Sequence, residues 1–587
     1  MILPAPERGT SLMMIEGGLT AIAVALAFCL PGLGAATFAR IERVFGKLAR
    51  QQGLAVASVG TAALLLRLAM LPVCPIPHPC LDDDFSFLLA ADTFASGRLT
   101  NPTPVMWEHF ETIHITMKPT YMSMYFPAQG LVLAAGKVLF GHPWFGQLCV
   151  TALMCAAICW MLQGWLPPSW ALLGGALAVL RLGLFSYWIN TYTGGGSVAA
   201  LGGALVLGAL PRFMKTVRLR HALFMAVGIV LLANSRPYEG LLLCLPVAFT
   251  LGRWIFFGKN RPAMRVLFHH TAVPLALIVA AGAWMGYYNY RAFGSPFTPP
   301  YNSDRAAYAV AQHFIWQSPH PEPVYRYAVM RKFYVGMELS YFQKLKTARG
   351  FLTEIPSKTL QGLIFFSGIA LLPPLIMLRR AATDRRIRFL VVCLLLMVGG
   401  LLAETWLFPH YVAPFTCCIY ALGLQSMRHL RLWRPDGKPT GTALIRLTVA
   451  LCIVLAGLRA WAKPLHVWLD NSPTTYWFGS QDFGDRRANV EKQLEAMPGK
   501  QLAVVRYAPD HSVFEEWVYN APDIDDSKVI WARDWDAASN VELMGYYRDR
   551  KVWLIEPDAN PAKITPYTGT TQNVAHANLS GITATEK

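Results

Sequence analysis

Three consecutive aspartates, Asp82, Asp83 and Asp84, stand where a long apolar run has just ended, and Phe85-Ser86-Phe87 follows them. Adjacent carboxylates at a membrane exit repel one another unless something positive or protic meets them. A carboxylate held at such a boundary can take the proton of an acceptor hydroxyl or amine while a charged leaving group departs. The same residues equally suit the first turn of a helix, where unpaired N–H groups and the helix dipole favour acids. Further along, Trp107-Glu108-His109-Phe110-Glu111-Thr112-Ile113-His114 brings His109, Glu111 and His114 into one segment. These types bind a divalent ion or hydrogen-bond a sugar or phosphate. Their spacing matches no standard zinc motif, so no metal ligand is assigned; a divalent ion stays an open option, and an ordinary polar loop is the plainer reading.

Four other polar groups interrupt apolar runs. Asn234-Ser235-Arg236-Pro237-Tyr238-Glu239 places a planar guanidinium, suited to a phosphate or pyrophosphate, beside a glutamate that could instead pair with it. Tyr187 to Ser197 contains Gly194-Gly195-Gly196, whose backbone N–H groups suit a phosphate and whose small size also suits close helix packing. Tyr290, Arg291, Tyr301, Asn302, Arg305, His313, Tyr325 and Arg326 form an aromatic and basic mixture suited to a lipid headgroup or an interfacial belt. Glu404 with His410-Tyr411 marks a fourth turn.

The elements that must position these residues are set by composition. Of 587 residues, 54% are hydrophobic and 15% charged, against about a quarter charged in a water-soluble chain. Apolar runs recur from Met14 to Trp461, each near the roughly 20 residues that cross a bilayer, and about twelve transmembrane helices are expected. The net charge of +17 lies in short loops between these runs, which is a signature of topology and not of nucleic-acid binding. Met1 to Glu7 has no basic region or cleavage site, and no cleavable signal peptide is expected. The cysteines read as packing residues, except Cys74 and Cys80, which flank Pro75 to Pro79 and form either a disulfide or two free thiols.

Basic loops stay inside. That rule puts Arg40 to Arg50, Arg212 to Arg220, Arg253 to Arg265, Arg379 to Arg388 and Arg428 to Arg446 on the cytoplasmic side. Asp82 to Tyr121, Tyr187 to Gly196, Asn234 to Glu239, Asn289 to Ser357, Glu404 to Tyr411 and all that follows Ala462 then fall outside. An odd number of crossings must separate Asp82 from Arg212, yet four apolar segments lie between them. Met124 to Phe140, with Pro127, Gln129, Gly130, Gly136 and Lys137, is the one expected to lie along the surface. Two units result: a membrane domain at 1–462 with its first outer loop at 74–145, and an extracytoplasmic α/β domain at 463–587. In the second, a helix over Arg486 to Met497 precedes strands at Leu502 to Tyr507, Lys528 to Trp531 and Val552 to Ile555.

The order of parts resembles the GT-C superfamily of membrane glycosyltransferases, which includes protein O-mannosyltransferases and aminoarabinose lipid A transferases. The resemblance rests on a span followed by Asp83-Asp84-Phe85-Ser86-Phe87, a long outer loop, Tyr125-Phe126-Pro127 opening a surface helix and Leu139-Phe140-Gly141 closing it. It implies Asp83 as the catalytic acid/base position with Asp84 as its acidic neighbour, where the family usually has Glu. The triple aspartate leaves Asp82 in play as a substrate contact. The resemblance also implies His410, with Tyr411, as a phosphate or sugar contact; His109, Glu111, Arg236, Tyr238 and Glu239 are expected substrate contacts on their own chemistry. The expected activity is transfer of a sugar from a polyprenyl-phosphate donor to an extracytoplasmic hydroxyl or amine, in a bacterial inner membrane, with membrane lipids as partners, no nucleic acid and no certain cofactor. No phosphate-loop or dinucleotide fingerprint is present. The rivals are a transporter or flippase of lipid-linked saccharides, and a membrane-anchored binding or assembly protein.

Overall fold

The computed structural model describes residues 11–258, 261–462, 464–467 and 482–568. The N-terminal reading at Met1 to Glu7 and the join between the two expected domains at 463 lie outside the described residues. Seven helices among the described residues are long and apolar enough to cross a membrane: Leu12–Cys29, Gln52–Ala69, Pro143–Leu162, Gly196–Lys215, Pro237–Phe257, Met264–Phe293 and Thr440–Ala460. Pro168–Gly183, Leu219–Ala233 and Arg388–Leu401 are shorter apolar helices. The expected twelve therefore needs shorter or more polar helices to span as well. One reason for the shortening is visible at Val179–Gly183, where the helix widens into a π turn around Arg181, whose Nε donates to the Phe365 carbonyl at 2.9 Å. A guanidinium in an apolar layer is costly unless its N–H groups find oxygens, and here backbone carbonyls are among them.

Outward-facing side chains such as Phe249, Phe257 and Phe268 are 74%, 84% and 74% exposed, an apolar rim that only hydrocarbon would solvate. Inside, small residues let backbones meet. A side chain at Gly203 would strike the Pro414 carbonyl, and one at Gly228 would lie 2.7 Å from the Gly202 carbonyl. All eleven cysteines are free, Cys74 and Cys80 included, and both of these are buried.

Pro127–Phe140 forms a helix of 14 residues, about 21 Å long against a hydrocarbon core about 30 Å thick. It packs beside the helix Asp82–Ala95, and its Ala128 N–H donates to the Asn234 carbonyl at 3.0 Å. The loop preceding it holds three short antiparallel strands, β1 (Asn101–Pro102), β2 (Ile115–Thr116) and β3 (Thr120–Ser123), in the order β1-β3-β2. Segments read as lying on one side of the membrane meet one another. Tyr192 reaches Asp84 and Thr405 reaches His313 at one end, while Glu42 pairs with Arg431 and Arg446 at the other.

The C-terminal unit is an α/β sandwich with strands β4 (Lys500–Val505), β5 (Val529–Arg533), β6 (Arg550–Glu556) and β7 (Lys563–Pro566) in the order β5-β4-β6-β7. The first three are parallel and β7 is antiparallel; the helix Asp482–Ala496 precedes β4, and Ala537–Tyr546 links β5 to β6. Apolar runs at Leu502–Val505 and Val529–Ala532 are buried on both faces, as parallel strands require. This unit sits on the segment that runs from Asp82 to Tyr121. Tyr519 stacks on Phe85 with centroids 4.8 Å apart, and the Tyr121 hydroxyl donates to the Asn520 carbonyl at 2.7 Å.

Candidate active site

The three aspartates open the helix Asp82–Ala95, so the helix-start reading and the chemical reading of the motif both apply. The three side chains have different employment. Asp84 accepts backbone N–H bonds from Tyr192 at 2.9 Å and from Cys80 and Leu81 at 3.4 Å. Burial still pushes its carboxyl up to about 7 against those bonds. Asp84 thus ties the helix start to the Tyr187–Ser197 turn.

Asp82 and Asp83 instead face His114. The His114 Nδ1 lies 2.8 Å from Asp83 Oδ1 and 3.4 Å from Asp82 Oδ2. The Tyr125 hydroxyl, stacked on Phe87 with centroids 4.3 Å apart, donates to the same Asp83 Oδ1. No hydrogen bond to Asp83 Oδ2 occurs among the described residues, which leaves that oxygen as the accepting face. Burial alone would raise the Asp83 carboxyl, but the charge of His114 and the hydrogen bonds from His114 and Tyr125 outweigh it and hold it down at about 2. Burial and the charge of Asp83 raise Asp82 to about 8 despite His114. His114 itself rises to about 9, because Asp82 and Asp83 more than offset its burial. At neutral pH the group is a charged Asp83, a protonated Asp82 and an imidazolium between them.

His114 is brought there at a backbone cost. Its φ is +63°, a left-handed conformation that costs a non-glycine residue about 1 kcal/mol or more. The strain is held by Ser86 Oγ, which donates to the His114 carbonyl at 2.7 Å, and by the Met124 N–H at 3.2 Å. A third carboxyl, Asp304, acts electrostatically on His114 from the helix Pro300–Tyr308. Its Oδ1 accepts from Thr116 Oγ1 at 3.3 Å, and its buried Oδ2 has no partner. Sequence reasoning passed over Asp304 between Asn302 and Arg305; an acid alone in an aromatic, basic stretch was the available signal.

Across from this group, Arg236 lies over the Tyr411 ring at 4.3 Å, donates to the Gly194 carbonyl at 3.2 Å and approaches Glu239 at 3.8 Å. His410 acts electrostatically on Asp83, and Arg236 acts on both His410 and Tyr125, so these residues lie near one another. Burial and then the charge of Arg236 hold His410 well below its usual range, as a neutral imidazole. The Tyr187 hydroxyl takes the His410 backbone N–H at 3.1 Å and faces Nδ1 at 2.6 Å. The hydroxyl proton then serves Nδ1, and Nε2 carries the free N–H. Gly194, with φ +77°, is required here, because a side chain on it would come within 2.6 Å of the His410 ring. Gly196 lies likewise against the Trp188 ring, and Gly195 against Gln129.

His109 and Glu111 are spent elsewhere. The His109 ring nitrogens face the carbonyls of Arg533 and Ser539 at 3.1 and 3.2 Å. Glu111 takes Arg326 at 2.7 Å and Tyr308 at 3.0 Å. Both fasten outer segments together, and His114 alone of the three reaches the aspartates. The Tyr238 hydroxyl donates to the Gly400 carbonyl at 3.1 Å, and its ring packs on Phe314.

The donor set of Asp82, Asp83 and His114 fits a divalent ion. One ligand atom from each lies within 4.8 Å of the others, the mixture of carboxylates and imidazole suits zinc or manganese, and Asp82 Oδ2 is buried without a hydrogen-bond partner. Bound there, an ion would supply a fixed positive charge beside the first turn of the helix Asp82–Ala95. It would have to displace the protons of Asp82 (about 8) and His114 (about 9), so affinity must rise with pH. We expect zinc or manganese to raise the unfolding temperature more at pH 8 than at pH 6, with about 2.7 kcal/mol of stabilisation at an ion concentration about 100 times Kd. Thermal unfolding in detergent checks this, and Asp82→Asn should abolish the effect.

No family model matches the chain, and no curated protein does. Among solved structures it is similar to the Archaeoglobus fulgidus oligosaccharyltransferase tethered with an acceptor peptide containing the NVT sequon, at 11% identity over 85% of this chain and 68% of that one, with a TM-score of 0.46. The archaeal oligosaccharyltransferase AglB of that organism, in complex with an inhibitory peptide and a dolichol-phosphate, matches at 11% identity over 85% and 69%, TM-score 0.46. ArnT from Cupriavidus metallidurans in the apo state matches at 10% identity over 85% of this chain and 93% of that one, TM-score 0.46. All are members of the GT-C superfamily.

Proposed function

We propose that the chain is a membrane glycosyltransferase that moves a sugar from a polyprenyl-phosphate donor to an extracytoplasmic hydroxyl or amine. The observation that supports this reading is the Asp83 carboxylate oriented by His114 and Tyr125, with His410 acting on its charge and Arg236 acting on His410, a proton acceptor near a guanidinium that can meet a phosphate. Asp83 Oδ2 accepts the acceptor proton as the acceptor oxygen or nitrogen attacks the anomeric carbon. The bond from that carbon to the phosphate oxygen breaks, and the phosphate leaves against Arg236 and the Nε2–H of His410. His114 and Tyr125 aim Asp83, and Asp84 fixes the helix that carries it. The acidic group at one end of the fold, with Asp82 and His114 unsuited to a path through the middle of the bilayer, disfavours a flippase.

The test uses protein reconstituted in vesicles with a labelled polyprenyl-phosphate sugar and a mixture of envelope acceptors. A transferase yields labelled acceptor; label that only changes leaflet, with no transfer product, would establish the flippase instead. Arg236→Gln should raise the donor KM by about 10- to 100-fold, the worth of one or two charge-assisted hydrogen bonds to phosphate, with a smaller change in kcat.

A further inference from the structure

Between the first two spans, at the end of the fold where Glu42 meets Arg431 and Arg446, lies a helix that the proposed chemistry does not use. Ala35–Arg50 has 16 residues, about 24 Å of helix, and carries three separate faces. Glu42 docks one face on the body through Arg431 and Arg446, each at 2.9 Å, with Ala49 fully buried beside it. A second face is apolar yet uncovered, with Ile41 57% and Val44 65% exposed. The third bears Arg40, Arg43, Lys47 and Arg50, all exposed, at a spacing of three and four residues that aligns them in one stripe. None of the four forms an ion pair among the described residues. Because Glu42 is already neutralised by two arginines of the body, the free face is wholly positive.

Both neighbours of this helix in the chain, Leu12–Cys29 and Gln52–Ala69, are long enough to cross a membrane, so its ends sit where two spans leave the hydrocarbon. An apolar face next to a basic stripe at that depth matches the boundary between acyl chains and headgroups. From this geometry we infer that Ala35–Arg50 is a binding site for anionic phospholipid headgroups, with Ile41 and Val44 seated among the upper acyl carbons and the four basic residues on the phosphates. The excess of basic residues at this end places the helix at the inner leaflet, whose surface is negative. The site is independent of the sugar chemistry.

The full-length protein in neutral detergent, titrated with phosphatidylglycerol or phosphatidylcholine and read by native mass spectrometry, tests this. Phosphatidylglycerol should bind with a preference of about tenfold or more, given the cumulative effect of several basic residues at a charged surface. The variant Arg40→Gln, Arg43→Gln, Lys47→Gln, Arg50→Gln should lose that preference. The control Arg379→Gln, Arg380→Gln, Arg385→Gln, Arg386→Gln should keep it. Should the fourfold helix variant fail to fold, Arg43→Gln with Lys47→Gln decides by a drop of about threefold or more. An unchanged preference, a loss shared equally by the control, or a dimer that depends on this helix would each overturn the proposal.

Discussion

Asp83→Asn should lower kcat by about 10² to 10⁴-fold, the range that removal of a positioned general base costs, while the protein still folds and still binds the donor. The amide keeps the shape of the side chain, and its oxygen can still take the Tyr125 and His114 hydrogen bonds that Asp83 Oδ1 takes. It cannot accept a proton. Asp83 holds its charge down to about pH 2, so across the neutral range the wild-type rate should not rise with ionisation of this group. The loss in the variant should therefore be of similar size at pH 6 and pH 8. Asp84→Asn is the matched control. Its three backbone hydrogen bonds predict lower stability with a smaller effect on kcat in the protein that remains folded. A large kcat loss from Asp84→Asn in well-folded protein, with Asp83→Asn nearly unaffected, would exchange the two roles. Donor turnover with labelled acceptor as product is the measurement, and circular dichroism in detergent reports folding.

What could be seen in advance was whatever the chain declares locally. Apolar runs near the thickness of a bilayer mark long spans, and the density of proline, glycine and a lysine in Met124 to Phe140 marked a segment unlike them; Pro127–Phe140 is indeed short. The aspartate triplet stood out because like charges are costly side by side. The division of labour inside it was not legible, since Asp84 is defined by a backbone N–H from Tyr192, 108 positions away. His114 was read together with His109 and Glu111 because they share a segment. A left-handed backbone at His114 and the contact of His109 with the strand Val529–Arg533 send them to different places. Tyr125 was noticed only as the residue before a helix, and Asp304 not at all, since neither has a local signature of what it touches. In the C-terminal unit three strands were visible as apolar runs, with ends off by up to two residues, whereas β7 at Lys563–Pro566 is short, polar and an edge strand. Its identity comes from pairing with β6, which sequence periodicity does not encode.

The second large effect belongs to the joint between the two units. Arg533, fully buried, donates through Nη2 to Glu516 and to Thr112 Oγ1, and through Nε to the Glu111 carbonyl at 2.6 Å. Glu516 in turn accepts from the Tyr507 hydroxyl at 2.6 Å and from the Val518 N–H at 2.7 Å, and its own N–H donates to the Cys80 carbonyl two residues before the aspartates. Burial would raise the Glu516 carboxyl, but Arg533, Thr112, Tyr507 and Val518 together lower it. Arg533→Met leaves that carboxylate buried and unpaired, which costs about 3 to 5 kcal/mol. The sign of the pH dependence follows. A carboxyl lowered in the folded state stabilises above its unfolded pKa and loses that contribution as pH falls, so the deficit of Arg533→Met should shrink toward acid, where Glu516 is neutral in both proteins. Removing the stranded charge as well, in Arg533→Met with Glu516→Gln, should recover part of the stability. Hydrogen exchange across Leu502–Val505 and along Asp82–Ala95 reads both sides of the joint. Unchanged protection in Arg533→Met at neutral pH would show that the C-terminal unit is held by its apolar contacts with Phe85 and Tyr121, and that the ion pair does not fasten it.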